Sequence, residues 1–134
     1  MPGTLTVTTI SDGSINGSAT TVIRGSAKVW SNTNGAGGAT VRSSFNLSSV
    51  TRNGTGDYTQ NFASAVADAN YCVFGSTVHT GSGTTAAAAV FSELLSASNT
   101  YGAKTTSTTR VNNCDNNGDT YVDSFSLNFG IMAN

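Results

Sequence analysis

The feature that most constrains how this chain can fold is the turn sequence NGTGD at residues 53–57. An Asn-Gly pair followed by a second glycine supplies the positive-φ positions that a tight reversal of two strands requires. Apolar residues occur on both sides of this turn, among them Phe45 before it and Tyr58 after it. We therefore predict a β-hairpin whose two strands span residues 40–50 and 57–63.

The amino-acid composition favours many short strands joined by tight turns. Of the 134 residues, 37% are hydrophobic and only 10% are charged, while 15 are glycine. The low charge argues against disorder, which usually combines low hydrophobicity with high net charge or abundant proline. A chain of this length is most simply one domain, so we predict a single domain that spans residues 1–134.

Further strands are predicted where apolar and polar residues alternate or β-branched residues cluster. These segments are residues 20–26, 26–32, 71–80, 104–112 and 121–131. The last is the most regular, because Phe125, Leu127 and Phe129 fall on one side and polar residues on the other. Residues 71–80 are apolar on both sides, which favours a central strand covered on both faces.

Together these segments predict an all-β fold, namely an antiparallel β-sandwich of the jelly-roll type or a small barrel. Two segments leave alternatives open. Residues 86–96 are rich in alanine and leucine, so they fit a short helix as well as an irregular loop or a strand. Residues 1–10 fit a short strand or an extended N-terminal arm that docks on a neighbouring protein.

The charge balance excludes several classes of partner. The net charge is −1 and the six basic residues are scattered, so we expect binding neither to nucleic acid nor to an anionic membrane.

No apolar run reaches the roughly 18 residues that a membrane-spanning helix needs. The first residues lack the basic and apolar regions of a secretory signal, so we expect folding in a cytoplasm, with Cys72 and Cys114 as reduced thiols.

The sequence carries little that resembles catalytic machinery. His79 is the single histidine, the G-x-S-x-G motif is absent, and the seven carboxylates fall mostly in turns. Nucleophilic and glycosidic hydrolysis both require acid and base groups held together in one site. We interpret His79 as a surface or interface side chain and predict no catalytic residue and no cofactor. We expect Asp57 to cap backbone donors or to pair with Arg52 across the hairpin.

One stretch resembles the start of a calcium-binding loop. Asp115, Asn117 and Asp119 alternate with other residues, and Asp123 follows. Such oxygen ligands suit Ca²⁺, but Ser126 occupies the position where the loop needs a bidentate carboxylate. We therefore interpret the stretch as a hairpin turn and predict no metal, with a cation site at these four residues as the alternative.

Three residues are candidates for recognition. Trp30 could stack on a sugar ring, but its position in a predicted strand favours a packing role. Asn34 and Tyr101 fall in predicted loops, where binding residues concentrate because loops are held by rigid strands. We therefore predict a recognition surface around Asn34 and Tyr101.

Residues 26–30 (SAKVW), 41–62 (VRSSFNLSSVTRNGTGDYTQNF) and 68–73 (DANYCV) resemble a domain that recurs in bacteriophage tail fibres and related small virion proteins. The NGTGDYT hairpin followed by DANY is the most specific part of this resemblance. The resemblance implies a homotrimeric, non-enzymatic virion protein that is assembled in the host cytoplasm. Its implied partners are its own copies, other tail or capsid proteins, and a glycan or outer-membrane protein on the host surface.

The chain differs from a full tail fibre because it is short and lacks a long upstream shaft. We therefore keep two alternatives to host attachment. One is a decoration or cement protein that stabilises the head or tail lattice, with residues 1–10 adding a strand to a neighbouring sheet. The other is a carbohydrate-active enzyme domain.

Overall fold

A computed structural model describes residues 3, 5–78, 90–93, 104–114 and 121–133 of the chain. Within these ranges the chain forms ten strands and one helix. In chain order they are β1 (Thr9–Ser11), β2 (Asn16–Ser18), α1 (Ala19–Gly25), β3 (Val29–Asn34), β4 (Thr40–Phe45), β5 (Leu47–Gly54), β6 (Asp57–Phe62), β7 (Cys72–Val78), β8 (Val90–Glu93), β9 (Thr108–Cys114) and β10 (Ser126–Met132).

The strands build two four-stranded antiparallel sheets and a separate two-stranded hairpin. The first sheet has the order β4-β3-β10-β7, the second has the order β5-β6-β9-β8, and β1 pairs with β2. The main cluster of buried apolar side chains draws residues from both four-stranded sheets. The predicted all-β, antiparallel, sandwich-like fold is therefore confirmed.

The core forms where inward-facing residues of the two sheets meet. In β10, Leu127, Phe129 and Ile131 are buried, and the polar residues Ser126 and Asn128 are only partly covered. This is the alternation that the sequence predicts for a strand with one buried face. The other buried apolar residues of this cluster are Val29, Ala39, Tyr58, Phe62, Tyr71, Val111 and Ala133.

The strand itself is shorter than predicted. It begins at Ser126 instead of residue 121, since Phe125 is exposed while Ser124 is buried, which reverses the alternation. Tyr121 makes only an isolated bridge to Cys114. The predicted strand at residues 104–112 is likewise displaced and runs as β9 from Thr108 to Cys114.

Polar side chains occupy the centre of the core. Ser31 Oγ donates a hydrogen bond of 3.2 Å to Gln60 Oε1, and both residues are buried. Thr109, the register partner of Gln60 on β9, is fully buried, as is Thr33 on β3. Thr33 Oγ1, Gln60 Nε2 and Thr109 Oγ1 have no hydrogen-bond partner among the described residues, and burying an unpartnered polar group costs free energy. The stability of the sandwich therefore depends on the apolar residues around this centre.

The predicted strand at residues 40–50 is in fact two strands in different sheets. Asn46 has a positive φ of 52°, and this bend carries the chain from β4 in the first sheet to β5 in the second. The Asn46 side chain donates to the carbonyls of Lys28 and Ser64, both at 3.2 Å, and accepts from Ser64 N at 2.8 Å. Asparagine tolerates this backbone conformation better than most residues, so Asn46 fixes the crossover between the sheets.

The β5–β6 hairpin is confirmed and its turn lies within the predicted stretch, although β5 runs beyond its predicted end at residue 50. Asn53 and Gly54 belong to β5, and Gly54 pairs with Asp57, which leaves Thr55 and Gly56 as the turn. Of these residues only Gly56 has a positive φ, at 66°. The register of the hairpin is irregular between Arg52 and Gly54.

The helix lies where a strand was predicted. Residues 20–26 are rich in β-branched residues, yet α1 covers most of them because both of its ends are capped. Ser18 Oγ accepts from Thr21 N at 3.0 Å, and Ser26 Oγ donates to the Ile23 carbonyl at 2.9 Å. Such caps stabilise a helix against weak propensities.

Two further predictions concern the strands β8 and β7, and the one for β7 is wrong. In the segment 86–96, for which helix, loop and strand were left open, residues 90–93 form β8, so the strand alternative is confirmed there and the helix alternative is wrong; the rest of that segment lies outside the described residues. The strand β7 is an edge strand of the first sheet and is not covered on both faces. Its residues Cys72 and Phe74 are exposed.

We expect Gly56→Ala to destabilise the protein by about 2–4 kcal/mol. Alanine would have to adopt the positive φ of Gly56, which is unfavourable for a residue with a Cβ, and that Cβ would clash with the backbone of Asn113 and Val122. Gly54→Ala is the matched control, because its Cβ would enter open space. Alanine within a strand is more stable than glycine by up to about 1 kcal/mol, so this variant should lose no stability. Urea unfolding measures both, and equal losses would contradict this account of the turn.

Candidate functional site

The carboxylate of Asp123 joins the hairpin turn to the segment that leads into β10. Its Oδ1 accepts hydrogen bonds from Arg52 Nε at 3.0 Å, Gly56 N at 2.9 Å and Tyr58 Oη at 2.8 Å. Its Oδ2 accepts from Arg52 Nη2 at 2.7 Å, which makes the arginine contact bidentate. Paired N–H donors on one carboxylate fix orientation as well as energy, so Asp123 has a structural role in the fold.

Backbone packing around Tyr58 tightens the same joint. A Cβ on Gly35 would clash with the Tyr58 hydroxyl, and Gly35 N donates to the Ser124 carbonyl at 2.8 Å. Burial, with the hydrogen bond to Asp123, raises the pKa of Tyr58. Although burial by itself would raise it, the pKa of Asp123 is lowered, because hydrogen bonds from Arg52, Gly56 and Tyr58 favour the charged form.

Asp57 does not pair with Arg52, contrary to the sequence-based expectation. Asp57 Oδ1 accepts from Arg110 Nε at 2.8 Å, and Oδ2 accepts from Arg110 Nη2. This hydrogen bonding to Arg110 is the main cause that lowers the pKa of Asp57. The register explains the difference, since Asp57 lies opposite Asn112 on β9 and therefore close to Arg110. Each of these two carboxylates is thus held by an arginine.

A row of aromatic side chains crosses the outer face of the first sheet. Trp30 on β3 lies opposite Phe45 on β4 and opposite Gly130 on β10, and Gly130 lies opposite Phe74 on β7. The exposed fractions are 38% for Trp30, 55% for Phe45 and 43% for Phe74. We call these three residues the aromatic row. The packing role expected for Trp30 inside the core is therefore wrong, because its strand turns it outward.

Gly130 leaves space for the aromatic row. A Cβ at this position would clash with the ring of Phe74, so that ring lies across the β10 backbone. Further apolar side chains, Met132 and Cys72, lie opposite each other on the same face and are exposed. Exposed apolar patches of this kind mark interaction sites in soluble proteins.

A set of amide and hydroxyl groups lies beside the aromatic row, and its members bind one another. Asn32 Nδ2 donates to Asn128 Oδ1 at 2.5 Å and to Ser126 Oγ at 2.9 Å. Asn128 Nδ2 donates to Ser76 Oγ at 3.1 Å. We call these four residues the amide ladder. Since its amide donors are engaged within the sheet, the ladder can be covered without leaving them unsatisfied.

The outer face of the second sheet has a different character. There, Asn61 Nδ2 donates to Thr51 Oγ1 at 3.1 Å, and Asn53 Nδ2 donates to Thr59 Oγ1 at 2.9 Å. The Asp57–Arg110 pair belongs to strands of the same sheet. One outer face of the sandwich is therefore polar and the other is aromatic, which identifies the aromatic face as the candidate interaction surface.

A second exposed apolar surface lies near the N-terminus. We call residues 5–25 the N-terminal module; it contains β1, β2 and α1. Its large apolar side chains are exposed, including Leu5 at 84%, Ile15 at 73% and Ile23 at 60%. Ala19 is its only residue in the buried hydrophobic core. A strand or an extended arm was predicted at residues 1–10. The strand β1 begins only at Thr9, and Leu5 and Val7 precede it.

A cleft of about 540 Å³ lies beside Phe45, at one end of the aromatic row. It lies where the chain leaves α1 and enters β3, and Lys28 and Phe45 belong to its wall. The remaining lining residues are Ser26, Ala27, Asn46, Ala65, Val66 and Ala67.

The residues that the sequence singled out are spread over the molecule. Asn34 ends β3, and its Oδ1 accepts from Ala36 N at 3.2 Å. Of the four residues of the cation alternative, only Asp123 is described, and its carboxylate is bound to Arg52. The other three, Asp115, Asn117 and Asp119, lie outside the described residues. Tyr101 and His79 lie outside them as well. Within the described ranges no group of three or more His, Cys, Asp or Glu residues could hold a metal ion.

Cys72 is a free thiol on the exposed side of β7, whereas Cys114 is buried at the end of β9. The two are therefore not bridged to each other. The described residues also contain no helix with the length and apolar character needed to cross a bilayer. No known protein family matches this chain, and neither curated proteins nor solved structures show a significant match to it.

We expect Asp123→Asn to cost about 2 kcal/mol at neutral pH, because it removes the charge that Arg52 and the backbone bind. The pKa of Asp123 is lowered from 3.8 in the folded state. A carboxyl group with a lowered pKa stabilises the fold above its unfolded pKa, and this contribution is lost as the pH falls through the folded pKa. In the wild type, the free energy of unfolding should therefore decrease as the pH is lowered from 3.8 through the folded-state pKa of Asp123. In Asp123→Asn this decrease should be smaller.

Asp57→Asn is the control for this prediction. Asp57 accepts from the side chains of Arg110 and Asn53, whereas Asp123 also accepts from a backbone N–H and a buried tyrosine. Because the Arg110 side chain is 42% exposed, we expect the loss of its pair to cost about 0.5 kcal/mol. Denaturant unfolding across the acid and neutral range compares the two variants. Equal losses at neutral pH would contradict the assignment of Asp123 as the joint.

Proposed function

We infer that this protein is a non-enzymatic structural component of a bacteriophage particle, a tail-fibre-like protein that assembles with copies of itself and attaches to the host surface. The aromatic face carries this proposal. A chain that presents Trp30, Phe45 and Phe74 side by side exposes apolar area that association with another protein would bury. The resemblance of residues 26–73 to tail-fibre domains supports the setting and the homotrimer.

The remaining chemistry of the described residues fits a structural protein. Asp57 and Asp123 bind arginines and are used to hold strands together. A nearly neutral chain, with net charge −1, allows copies to approach without strong repulsion. Several weak sites on one assembly, and several assemblies on one particle, give strong attachment to a host glycan or outer-membrane protein without any tight single site.

One observation favours the alternative of a decoration protein on the head or tail lattice. Leu5 and Val7 are exposed and lie outside the strands that the structure describes. Such a segment can add a strand to the edge of a neighbouring sheet. On the particle, a decoration protein would occupy the lattice in many copies, whereas an attachment protein would lie at the end of an appendage.

We expect the purified wild-type protein to be oligomeric and Trp30→Ser to weaken that association by at least about tenfold. The fold should survive, because Trp30 lies outside the core. Tyr121→Ser is the matched control, since Tyr121 is 49% exposed and lies away from the first sheet. Light scattering after size exclusion gives the masses. A monomeric wild type at high micromolar concentration would contradict assembly.

We also expect free wild-type protein to block adsorption of the phage to its host. The Trp30→Ser variant should need at least about tenfold more protein for the same block, because loss of multivalency lowers avidity. Adsorption assays with both proteins measure this. Wild-type protein that binds the particle lattice and leaves adsorption unchanged would support the decoration protein instead.

A further inference from the structure

Among the residues that the structure describes, two apolar surfaces are exposed. One is the aromatic row on the outer face of the first sheet. The other is the surface of the N-terminal module, formed by aliphatic side chains. Its large exposed members are Leu5, Val7, Ile10, Ile15, Val22 and Ile23. Both surfaces belong to every copy of the protein, so copies can cover each other's surfaces.

The N-terminal module needs a partner for its own stability. A two-stranded hairpin and a helix of seven residues are each marginal in water when they stand alone. The module supplies only Ala19 to its interior. Its hydrogen bonds are local, such as Ala19 N to the Thr8 carbonyl at 2.9 Å. Packing against a second apolar surface would supply the stabilisation that this module lacks.

The connection between α1 and β3 holds the module beside its own sheet. Lys28 N donates to the Ile131 carbonyl at 2.9 Å, which anchors the connection to β10. The Lys28 side chain donates to the Ile23 carbonyl and, at 3.1 Å, to Ser26 Oγ. These bonds tie the end of α1 to the start of β3 while Ile23 stays exposed.

The aromatic face is suited to an apolar protein surface. The side-chain amide groups of Asn32 and Asn128 already donate hydrogen bonds within the sheet. They are therefore less available to bind the hydroxyl groups of a sugar. Charged groups described near its margins include Lys28, which lines the cleft beside Phe45, and Arg42, which lies 4.8 Å from the centre of the Phe125 ring. The module brings one acid, Asp12, and one base, Arg24. Each surface therefore carries few charges, so a contact between them would bury little charge.

We propose that the N-terminal module of one copy packs its aliphatic side chains onto the aromatic row of the next copy. This inference rests on the proposed function, since it names the surfaces through which the protein assembles. The contact is heterologous, because two different surfaces meet. A heterologous contact closes into a ring when its rotation permits and otherwise continues as a filament. A closed ring of three copies would give the homotrimer that the resemblance implies.

Two complementary variants test this contact. Trp30→Ser with Phe74→Ser removes the aromatic row and keeps the module, whereas Val22→Ser with Ile23→Ser alters the module and keeps the row. We expect each double variant alone to associate at least about tenfold more weakly than wild type. We expect their equimolar mixture to form a one-to-one dimer, because each supplies the surface that the other lacks. Native mass spectrometry resolves the species.

The outcomes separate this inference from the proposed function. A module variant that assembles as well as wild type would overturn the inference and leave self-assembly standing, with face-to-face packing of two aromatic rows in its place. Two folded monomeric variants that do not combine on mixing would overturn it as well. A monomeric wild type would overturn the proposed function itself.

A cross-link through the native thiol tests the contact without removing either surface. Cys72 is exposed on the same face of β7 as Phe74. In the variant Ile23→Cys, a short bis-maleimide should join the new thiol at position 23 of one copy to Cys72 of the next. The product should be dimers and larger species on a denaturing gel.

The control for this cross-link is Ile23→Cys combined with Cys72→Ser. It should give none of the species larger than dimers, because each copy then carries a single exposed engineered thiol. Cross-linking only within single chains of the Ile23→Cys variant would show that the module covers its own row and would overturn the inference.

Discussion

One carboxylate ties the two sheets of this fold together. In the sequence, Asp123 follows β9 of the second sheet and precedes β10 of the first sheet. Its carboxylate accepts hydrogen bonds from β5, the hairpin turn and β6. Without this carboxylate, Arg52 would lose its bidentate partner and the Tyr58 hydroxyl would lose its acceptor. Leaving such groups partly buried without partners costs more than the bonds contribute. The charge therefore locks the turn of the second sheet to the strand that enters the centre of the first.

The position of β10 then decides what the first sheet presents to solvent. Because β10 lies between β3 and β7, its register places Gly130 between Trp30 and Phe74. The missing side chain at Gly130 gives the Phe74 ring its place on the outer face. The inner face of the same strand buries Leu127 and its apolar neighbours Phe129 and Ile131. One strand thus builds both the core and the floor of the aromatic face, so the fold and the proposed assembly are physically coupled.

Part of this arrangement could be predicted from the sequence, since it depends on local patterns. The alternation in β10 and the glycine-containing hairpin each require only a few neighbouring residues to recognise. The split at Asn46 and the helix α1 could not be predicted in this way, because a positive φ and a pair of serine caps outweigh the β-branched residues around them. Side-chain hydrogen bonds of this kind leave only a weak trace in the sequence.

The candidate surface could be predicted less well, because it depends on pairing between distant strands. Phe45, Trp30 and Phe74 become one row only when β4, β3, β10 and β7 stand in this order and register. The apolar residues on both sides of β7 are a usable signal, but they suggest a covered central strand. In the fold they mark an edge strand with an uncovered outer face, and covering by a second copy would reconcile the pattern with the structure.

Trp30 is the only tryptophan in the chain, so its fluorescence reports on the aromatic face alone. The most direct test of the account is to measure acrylamide quenching of this tryptophan as the wild-type protein is diluted from high to low micromolar concentration. If copies of the protein cover the aromatic row, quenching should be weak at high concentration and should rise on dilution, with a shift of the emission to longer wavelength. Quenching that is strong and unchanged at every concentration would contradict the account, because the row would then remain uncovered in the assembled protein.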